Sequence, residues 1–211
     1  MIEFDEEKHE YKVDGKVKPS VTTILKETGV WPDFWGHDED REFYMQRGRM
    51  VHLAIHHIVK AKQGVVIHDY VLRQDERIQG YLNSFLNWYN DPNWKVNAEH
   101  SEKKVYNKPN DYCGTIDMIA NVNFREERQE KAIIDFKCGV PAYEYAYQLA
   151  GYEMCVEPIA FGKRLRLGVY LDKEGKPPRV CPYLDETDFQ VFRACRYVFS
   201  CLLYTSPSPR D

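Results

Sequence analysis

The hydrophobic and polar positions of the chain follow a helical period in two long stretches before residue 92. Between residues 38 and 61, apolar residues recur every three or four positions, which predicts a long amphipathic helix. Much of its apolar stripe is formed by Phe43, Val51, Ala54, Ile55, Ile58 and Val59. A second amphipathic helix is predicted over residues 74–90, and Asp91–Pro92 ends it. We assign this second helix a role in the core only.

Other parts of the chain have patterns typical of strands. Residues 3–25 predict two short strands that turn at Asp14–Gly15, followed by a helix that Ser20 caps. Residues 95–107 have strand character despite their charges, and an apolar hairpin with a charged turn follows them. A last hairpin is predicted on either side of Gly175. This order of elements predicts an α/β fold with a mixed central β-sheet flanked by helices.

Three charged residues interrupt the apolar hairpin in the middle of the chain. Asp117 lies in its first strand, and Asp135 and Lys137 lie at the end of its second strand. If the turn centres on Glu126, antiparallel pairing places Asp117 opposite Asp135, where two like charges destabilise a sheet. Because side chains alternate between the faces of a strand, Asp135 and Lys137 share one face, and Phe136 points to the other.

This register predicts two carboxylates and an ammonium group close together. Carboxylate oxygens in such a group suit Mg²⁺, a hard cation that keeps several waters and takes phosphate oxygens of a substrate as further ligands. A bound metal ion would also relieve the repulsion between the carboxylates. The alternative is that Lys137 forms a surface ion pair with one aspartate and nothing more, since Asp-x-Lys by itself is a weak signal.

Three motifs together carry a resemblance to a known family: GTID, IIDFK and QLAGY. They resemble the PD-(D/E)XK nuclease superfamily, in particular its RecB-type and phage exonuclease branch, and the resemblance covers nearly all of residues 1–200. It implies a restriction-endonuclease-like core. It also implies a Mg²⁺-dependent deoxyribonuclease that acts as an exonuclease in phage or bacterial recombination and repair. Mn²⁺ can substitute for Mg²⁺ in such enzymes. In this family pattern Asp117, Asp135 and the carbonyl of Phe136 hold the metal, and Lys137 orients or helps deprotonate the attacking water.

The resemblance also assigns residues before the hairpin. RGRMVH resembles the first helical motif of the family, whose terminal histidine reaches the metal, so His52 is expected as an auxiliary ligand. Glu102 lies close to where relatives carry a strand glutamate near the metal, and Glu99 is a rival at similar spacing. A solvent-facing carboxylate on an edge strand is an equally good interpretation of Glu102. The neighbouring His56 and His57 are expected to be structural.

After the hairpin, Gly139 and Pro141 end the strand and begin a helix over residues 142–157. Gln148 and Tyr152 are four residues apart and therefore share one face of this helix. An aromatic stripe of this kind is more often core packing. However, QLAGY matches the QxxxY motif of the family, in which the amide and the phenol lie beside the active site and contact DNA or the catalytic groups.

Charge and cysteine content change this picture little. Residues 1–45 contain six Lys and Arg and twelve Asp and Glu, which gives this part of the chain a net charge of −6. Since the whole chain has a net charge of −4, residues 46–211 carry +2. This is a weak footprint for nucleic acid, and DNA binding does not follow from charge. The six cysteines have neither CxxC nor zinc-site spacing. They also lack the closely spaced pattern with which some relatives of the family hold an iron–sulfur cluster, so we expect reduced thiols and no cluster.

Length and composition predict a single domain over residues 1–200, with the N-terminal hairpin and helices in residues 1–92 and a catalytic core in residues 95–200. No run of 18 apolar residues exists and the N-terminus is too acidic for a signal peptide, which predicts a soluble, cytoplasmic protein without a membrane partner. Residues 201–211 break the helical pattern and resemble a translated sequencing adapter. We expect a non-native tail after Ser200, and a genuine disordered tail is the alternative.

The expected partner is DNA, with a helicase or a single-strand annealing protein as a second one. Two other classes of function stay open at this stage. One is a non-catalytic DNA-binding or partner-binding module that keeps the nuclease fold. The other is a structural domain in which the motif arose by chance and Lys137 forms a plain salt bridge.

Overall fold

The computed structural model describes residues 1–5, 8, 10–31, 38–65, 75–125, 128–156 and 163–205. The helices in these ranges are α1 (Val21–Glu27), α2 (Asp38–Lys62), α3 (Glu76–Tyr89), α4 (Glu144–Glu153) and α5 (Thr187–Thr205). The strands are β1 (Ile2–Asp5), β2 (Glu10–Val13), β3 (Lys16–Lys18), β4 (Asn97–Asn107), β5 (Tyr112–Asn123), β6 (Gln129–Lys137), β7 (Leu165–Tyr170) and β8 (Arg179–Pro182). No helix among the described residues is long and apolar enough to cross a membrane.

The N-terminal hairpin forms as predicted and gains a third strand. Asp14 and Gly15 both have positive φ angles, of 50° and 76°, as a tight two-residue turn between β2 and β3 requires. Strand β1 pairs with the other edge of β2 in an antiparallel manner. The side chain of Ser20 accepts a hydrogen bond of 2.9 Å from the backbone N–H of Thr23, which confirms Ser20 as the cap of α1.

Five strands form the central sheet in the order β4-β5-β6-β7-β8. Strands β6 and β7 are parallel, and the other neighbouring pairs are antiparallel. Apolar side chains of α2 and α3 pack with one set of strand residues, and those of α1, α4 and α5 pack with another. The fold is therefore a mixed α/β sheet flanked by helices, as the sequence predicts.

The hairpin of β5 and β6 has the predicted register. Met118 faces Ile134 and Ile119 faces Ile133, as expected for a turn centred on residue 126, although Glu126 itself lies outside the described residues. The ladder between these two strands ends at Met118 and Ile134. From there, β5 continues against β4 and β6 continues against β7. Asp117 and Asp135 lie at the next position, where the two strands separate.

Two boundaries differ from the sequence-based expectation. Helix α4 is shorter than the predicted range of residues 142–157, since it begins at Glu144 and ends at Glu153. Helix α5 continues to Thr205, so the expected break after Ser200 is wrong. The reason is that the first proline of the expected tail is Pro207, and residues 201–205 contain no helix breaker.

A buried ionic network ties α4 and α5 to the sheet. Arg166 on β7 places Nη1 3.0 Å from Asp188 of α5 and Nε 3.8 Å from Glu153 of α4. Its Nη2 also donates to the backbone carbonyl of Asp185 at 2.7 Å. Because these charges are nearly inaccessible to water, each depends on the others for compensation.

Replacing Arg166 with alanine is expected to lower the free energy of unfolding by about 3–5 kcal/mol, since Glu153 and Asp188 would remain buried without their counterion. Urea denaturation followed by circular dichroism measures this loss. The matched control is Arg179→Ala on the exposed edge strand β8, which should change stability by less than about 0.5 kcal/mol. Equal losses of stability in the two variants would contradict the role of Arg166 as the counterion of the buried carboxylates.

Candidate metal centre and active site

Three carboxylates lie in a row across three neighbouring strands. Glu102 of β4 sits between the pairs Ser101–Met118 and Lys103–Ile116, which places it opposite Asp117 of β5. Asp135 of β6 continues the row on the other side of Asp117. Asp117 and Asp135 are buried, and Glu102 is partly buried. Such a row repels itself unless cations accompany it.

The backbone is strained at the outer member of this row. Glu102 has a φ angle of +52° inside a strand, a conformation that costs a non-glycine residue about 1–3 kcal/mol. At Asp117, where the backbone pairing between β5 and β6 has ended, a side chain takes over the contact between the two strands. Asp117 Oδ2 accepts a 2.7 Å hydrogen bond from the backbone N–H of Phe136. This bond holds one oxygen of Asp117 and leaves Oδ1 directed at its neighbours.

His52 reaches the carboxylates from α2. Its Nδ1 lies 3.3 Å from Asp117 Oδ1 and 4.0 Å from Glu102 Oε1, and its Nε2 lies 2.9 Å from the carbonyl oxygen of Phe136. One ligand atom each from His52, Glu102 and Asp117 lies within 4.8 Å of the others, which is close enough to hold one metal ion. The structure therefore brings together three of the residues predicted to surround a metal, with the Phe136 carbonyl next to His52 and with Asp135 on the strand beside Asp117.

The carboxylates perturb one another and the histidine. Burial raises the pKa of Glu102 to about 7, with a further contribution from Asp117, and burial with the nearby Asp117 likewise raises the pKa of Asp135 to about 6. Burial alone would lower the pKa of His52, but Asp117 and Glu102 outweigh it and raise this pKa to about 9. Each carboxylate thus disfavours the charged form of its neighbours, and the His52 imidazolium compensates part of their charge.

Lys137 contacts Asp135, the carboxylate of the row that lies on β6. Its Nζ lies 2.6 Å from Asp135 Oδ2 and donates a 3.0 Å hydrogen bond to the side-chain oxygen of Gln148 on α4. The Gln148 amide nitrogen in turn donates to the hydroxyl of Tyr152 at 3.0 Å. Burial would lower the pKa of Lys137, but Asp135 and Asp117 raise it, so the side chain is an ammonium group.

The motif glycine of β5 makes room for Tyr152. A Cβ atom on Gly114 would lie 2.6 Å from the Tyr152 ring, so only glycine allows this close approach. The GTID and QLAGY motifs therefore meet in space, and both Gln148 and Tyr152 lie where the sequence places them, in a chain of hydrogen bonds that ends on Lys137.

Glu99, the rival of Glu102, lies outside the site. It pairs with Lys131 at 2.7 Å and accepts a hydrogen bond from Asn121 at 2.8 Å. His56 shares a 3.0 Å hydrogen bond with Ser101, consistent with the structural role expected for it. Free thiols are present at Cys113, Cys138, Cys155, Cys181 and Cys195.

Trp31 is a site residue that the sequence does not reveal. The Lys137 ammonium lies 4.4 Å from the ring centroid of Tyr145 and 5.9 Å from that of Trp31. Trp31 follows α1 and is more than a hundred residues away from Lys137 in sequence, and it belongs to no motif. The packing of α1 against β5, α4 and α5 brings it to the site.

Comparisons with known proteins identify no family. No protein-family model matches the sequence, and no curated protein is similar to it. Among solved structures, the crystal structure of SSO0001 is similar over 89% of this chain and 85% of its own length, at 16% identity and a TM-score of 0.31. Nothing about function follows from a similarity at that level.

Proposed function

We propose that this protein is a Mg²⁺-dependent deoxyribonuclease of the PD-(D/E)XK nuclease superfamily. The observation that carries the proposal is the convergence of Glu102, Asp117 and Asp135 on three adjacent strands, with the Lys137 ammonium in contact with Asp135. A purely structural ion pair needs one carboxylate for one lysine. Two further carboxylates beside it exceed what that ion pair needs: the His52 imidazolium compensates part of their charge, and a divalent cation would compensate the row as a whole.

The residues present fit a hard divalent cation. Glu102 and Asp117 offer carboxylate oxygens next to His52 Nδ1, which must give up its proton before it can bind the ion. Asp135 and the Phe136 carbonyl offer further oxygens. Mg²⁺ prefers oxygen ligands and keeps some of its waters, and Mn²⁺ accepts the same set together with an imidazole. When bound, the ion supplies Lewis-acid polarisation of the phosphoryl group and lowers the pKa of a water molecule.

The chain's own residues orient the attacking water and the phosphate. The Lys137 ammonium is fixed between Asp135 and Gln148, so its remaining N–H can donate to the attacking water or to a phosphoryl oxygen. Tyr152 fixes the Gln148 amide, which keeps its oxygen directed at Lys137. A preorganised donor of this kind stabilises charge that develops in the transition state.

The motifs GTID, IIDFK and QLAGY support an exonuclease of phage or bacterial recombination and repair as the form of this activity. In that setting the enzyme acts in the cytoplasm of a bacterial cell or a phage-infected host. A helicase that opens duplex DNA, or an annealing protein that takes up the strand it leaves, is the corresponding partner.

The test is to incubate purified protein with linear duplex, circular duplex and single-stranded DNA, each with Mg²⁺ or with EDTA. Loss of linear DNA that requires Mg²⁺ is expected, while closed circles remain intact. Cutting of the closed circles would show that the activity is that of an endonuclease and not of an exonuclease. Binding without any cleavage in Mg²⁺ or Mn²⁺ would contradict the proposal and favour the non-catalytic binding module.

A further inference from the structure

A cavity of about 260 Å³ lies between α5 and the turn that joins β4 to β5. As far as the described residues form its walls, they include neither the row of carboxylates nor His52 nor Lys137, so the cavity is separate from the metal centre. Its floor is apolar, because the buried rings of Tyr112 and Phe192 meet there edge to face, with centroids 5.2 Å apart. One water molecule needs about 10–15 Å³, so the cavity has room for a larger group.

Two arginines form the polar wall of this cavity. Arg193 and Arg196 are three residues apart on α5, so they lie on the same face of the helix. From Phe189 to Thr205 the helix contains no Asp or Glu and no other Lys or Arg. The positive charge at the cavity is therefore a local feature of a chain whose net charge is −4.

Arg196 is held in place by neutral acceptors. Its Nε donates a 2.7 Å hydrogen bond to the backbone carbonyl of Asn110 in the β4–β5 turn, and its Nη1 donates to the hydroxyl of Ser200. Among the residues that the structure describes, no carboxylate forms an ion pair with Arg196, and its Nη2 has no hydrogen-bond acceptor. The guanidinium group is thus fixed, and its Nη2 is available to a ligand.

The acidic residue of the same turn is compensated by other groups. Asp111 accepts a 2.8 Å hydrogen bond from Lys18 Nζ and one of 2.6 Å from the hydroxyl of Tyr106. These two contacts hold the pKa of Asp111 below its usual value, and the charge of Arg196 adds to the effect. Because Lys18 already neutralises this carboxylate, Arg196 keeps its positive charge for an anion in the cavity.

Phosphate is the anion that such a wall fits best. A guanidinium group binds phosphate through parallel N–H···O bonds, and it does so without depending on pH. A phosphate group has enough oxygens for two guanidinium groups at once, whereas a carboxylate has two oxygens in all. The apolar floor leaves room for the organic part of an ester beside the phosphate.

We propose that the cavity between α5 and the β4–β5 turn binds the phosphate group of a phosphate ester through Arg193 and Arg196. Two kinds of molecule carry this group, the backbone of DNA and a free nucleoside monophosphate, and the experiment separates them. The inference does not rest on the proposed nuclease function, because none of the groups involved belongs to the metal centre.

The experiment titrates ligands in EDTA, so that no divalent ion at the metal centre can bind the phosphate. Protein with ¹⁵N-labelled arginine is titrated with inorganic phosphate and with thymidine 5′-phosphate, and sodium acetate at equal ionic strength is the control. The side-chain Nε–H signals of Arg193 and Arg196 should shift and reach saturation with both phosphates. The signal of Arg179, on the edge strand β8, should not respond, and acetate should cause no saturable shift.

Arg193→Gln removes one guanidinium group and leaves the hydrogen bonds of Arg196 in place. This variant is expected to bind inorganic phosphate about tenfold more weakly, the effect of losing one charge-assisted hydrogen bond. Arg179→Gln removes the same charge from β8 and should bind phosphate as the natural protein does. Arg196→Gln should also weaken binding. Since Arg196 ties α5 to Asn110, circular dichroism checks the fold of that variant, and Arg193→Gln carries the test if it unfolds.

Fluorescence anisotropy of labelled DNA, again in EDTA, identifies the source of the phosphate. If Arg193→Gln weakens DNA binding as well, the cavity holds the DNA backbone. If DNA affinity is unchanged while thymidine 5′-phosphate binds more weakly, the cavity holds a free ester. The proposal is overturned if neither arginine signal responds to phosphate, if acetate saturates the signals equally well, or if Arg193→Gln and Arg179→Gln bind phosphate equally. Absence of cleavage with Mg²⁺ would overturn only the nuclease function.

Discussion

Replacing Lys137 with alanine is expected to reduce the rate of DNA cleavage about 10²- to 10³-fold, the usual effect of removing one preorganised charge-stabilising donor. Lys137 Nζ lies 2.6 Å from Asp135 and 3.0 Å from Gln148, so alanine removes the ammonium that these two side chains hold in place. Single-turnover cleavage of an end-labelled DNA at saturating Mg²⁺ measures the chemical step directly.

The matched control for Lys137 is Lys131→Ala on the same strand. Lys131 forms an ion pair with Glu99, well away from the row of carboxylates, and its side chain is substantially exposed. This variant should cleave DNA at the natural rate. Removing Lys137 leaves the buried Asp135 without its counterion, so this variant is expected to melt at a lower temperature, whereas Lys131→Ala should not. Mg²⁺-dependent DNA binding at a temperature where circular dichroism shows both variants folded should be largely intact, which separates a catalytic effect from misfolding. Undiminished cleavage by Lys137→Ala would reject the mechanism.

Asp135→Asn is expected to lose metal binding and cleavage together. Asp135 is buried between Asp117 and Lys137, and an amide oxygen is a weaker ligand for a divalent cation than a carboxylate. A ligand that binds only the folded state raises stability by about 2.7 kcal/mol at a concentration one hundred times its dissociation constant. Titration with Mn²⁺ in a thermal unfolding assay should therefore raise the melting temperature of the natural protein but not that of the variant.

Glu99→Gln is the control for this experiment, because it changes a carboxylate that the structure places outside the site. It should respond to Mn²⁺ as the natural protein does. His52→Ala removes an auxiliary ligand and should show a smaller loss of cleavage than Asp135→Asn. If Mn²⁺ stabilises Asp135→Asn as strongly as the natural protein, the metal lies elsewhere.

Local patterns were sufficient to predict most of the elements. Helix α2 and the Asp14–Gly15 turn are signals within a few residues, and both appear in the structure. Phe43 was wrongly predicted as part of the apolar stripe of α2, since it is 43% exposed, whereas the stripe from Val51 onward packs in the core. The β5–β6 register followed from hairpin geometry, because a short turn leaves little freedom in how its strands pair. The expected end of α5 at Ser200 is wrong, because the first helix breaker after it is Pro207 and the helix continues to Thr205.

The sequence by itself determined the candidate residues Asp117, Asp135 and Lys137, because alternation along one hairpin places their side chains together. Only the tertiary structure decided between Glu99 and Glu102. These residues are three positions apart and would face opposite sides of a regular strand, and β4 has a bulge between Ala98 and His100 that shifts this alternation. The pairing of β4 with β5 places Glu102 opposite Asp117, and this contact lies outside any local pattern. In the same way, Trp31 reaches Lys137 only through the packing of distant helices on the sheet.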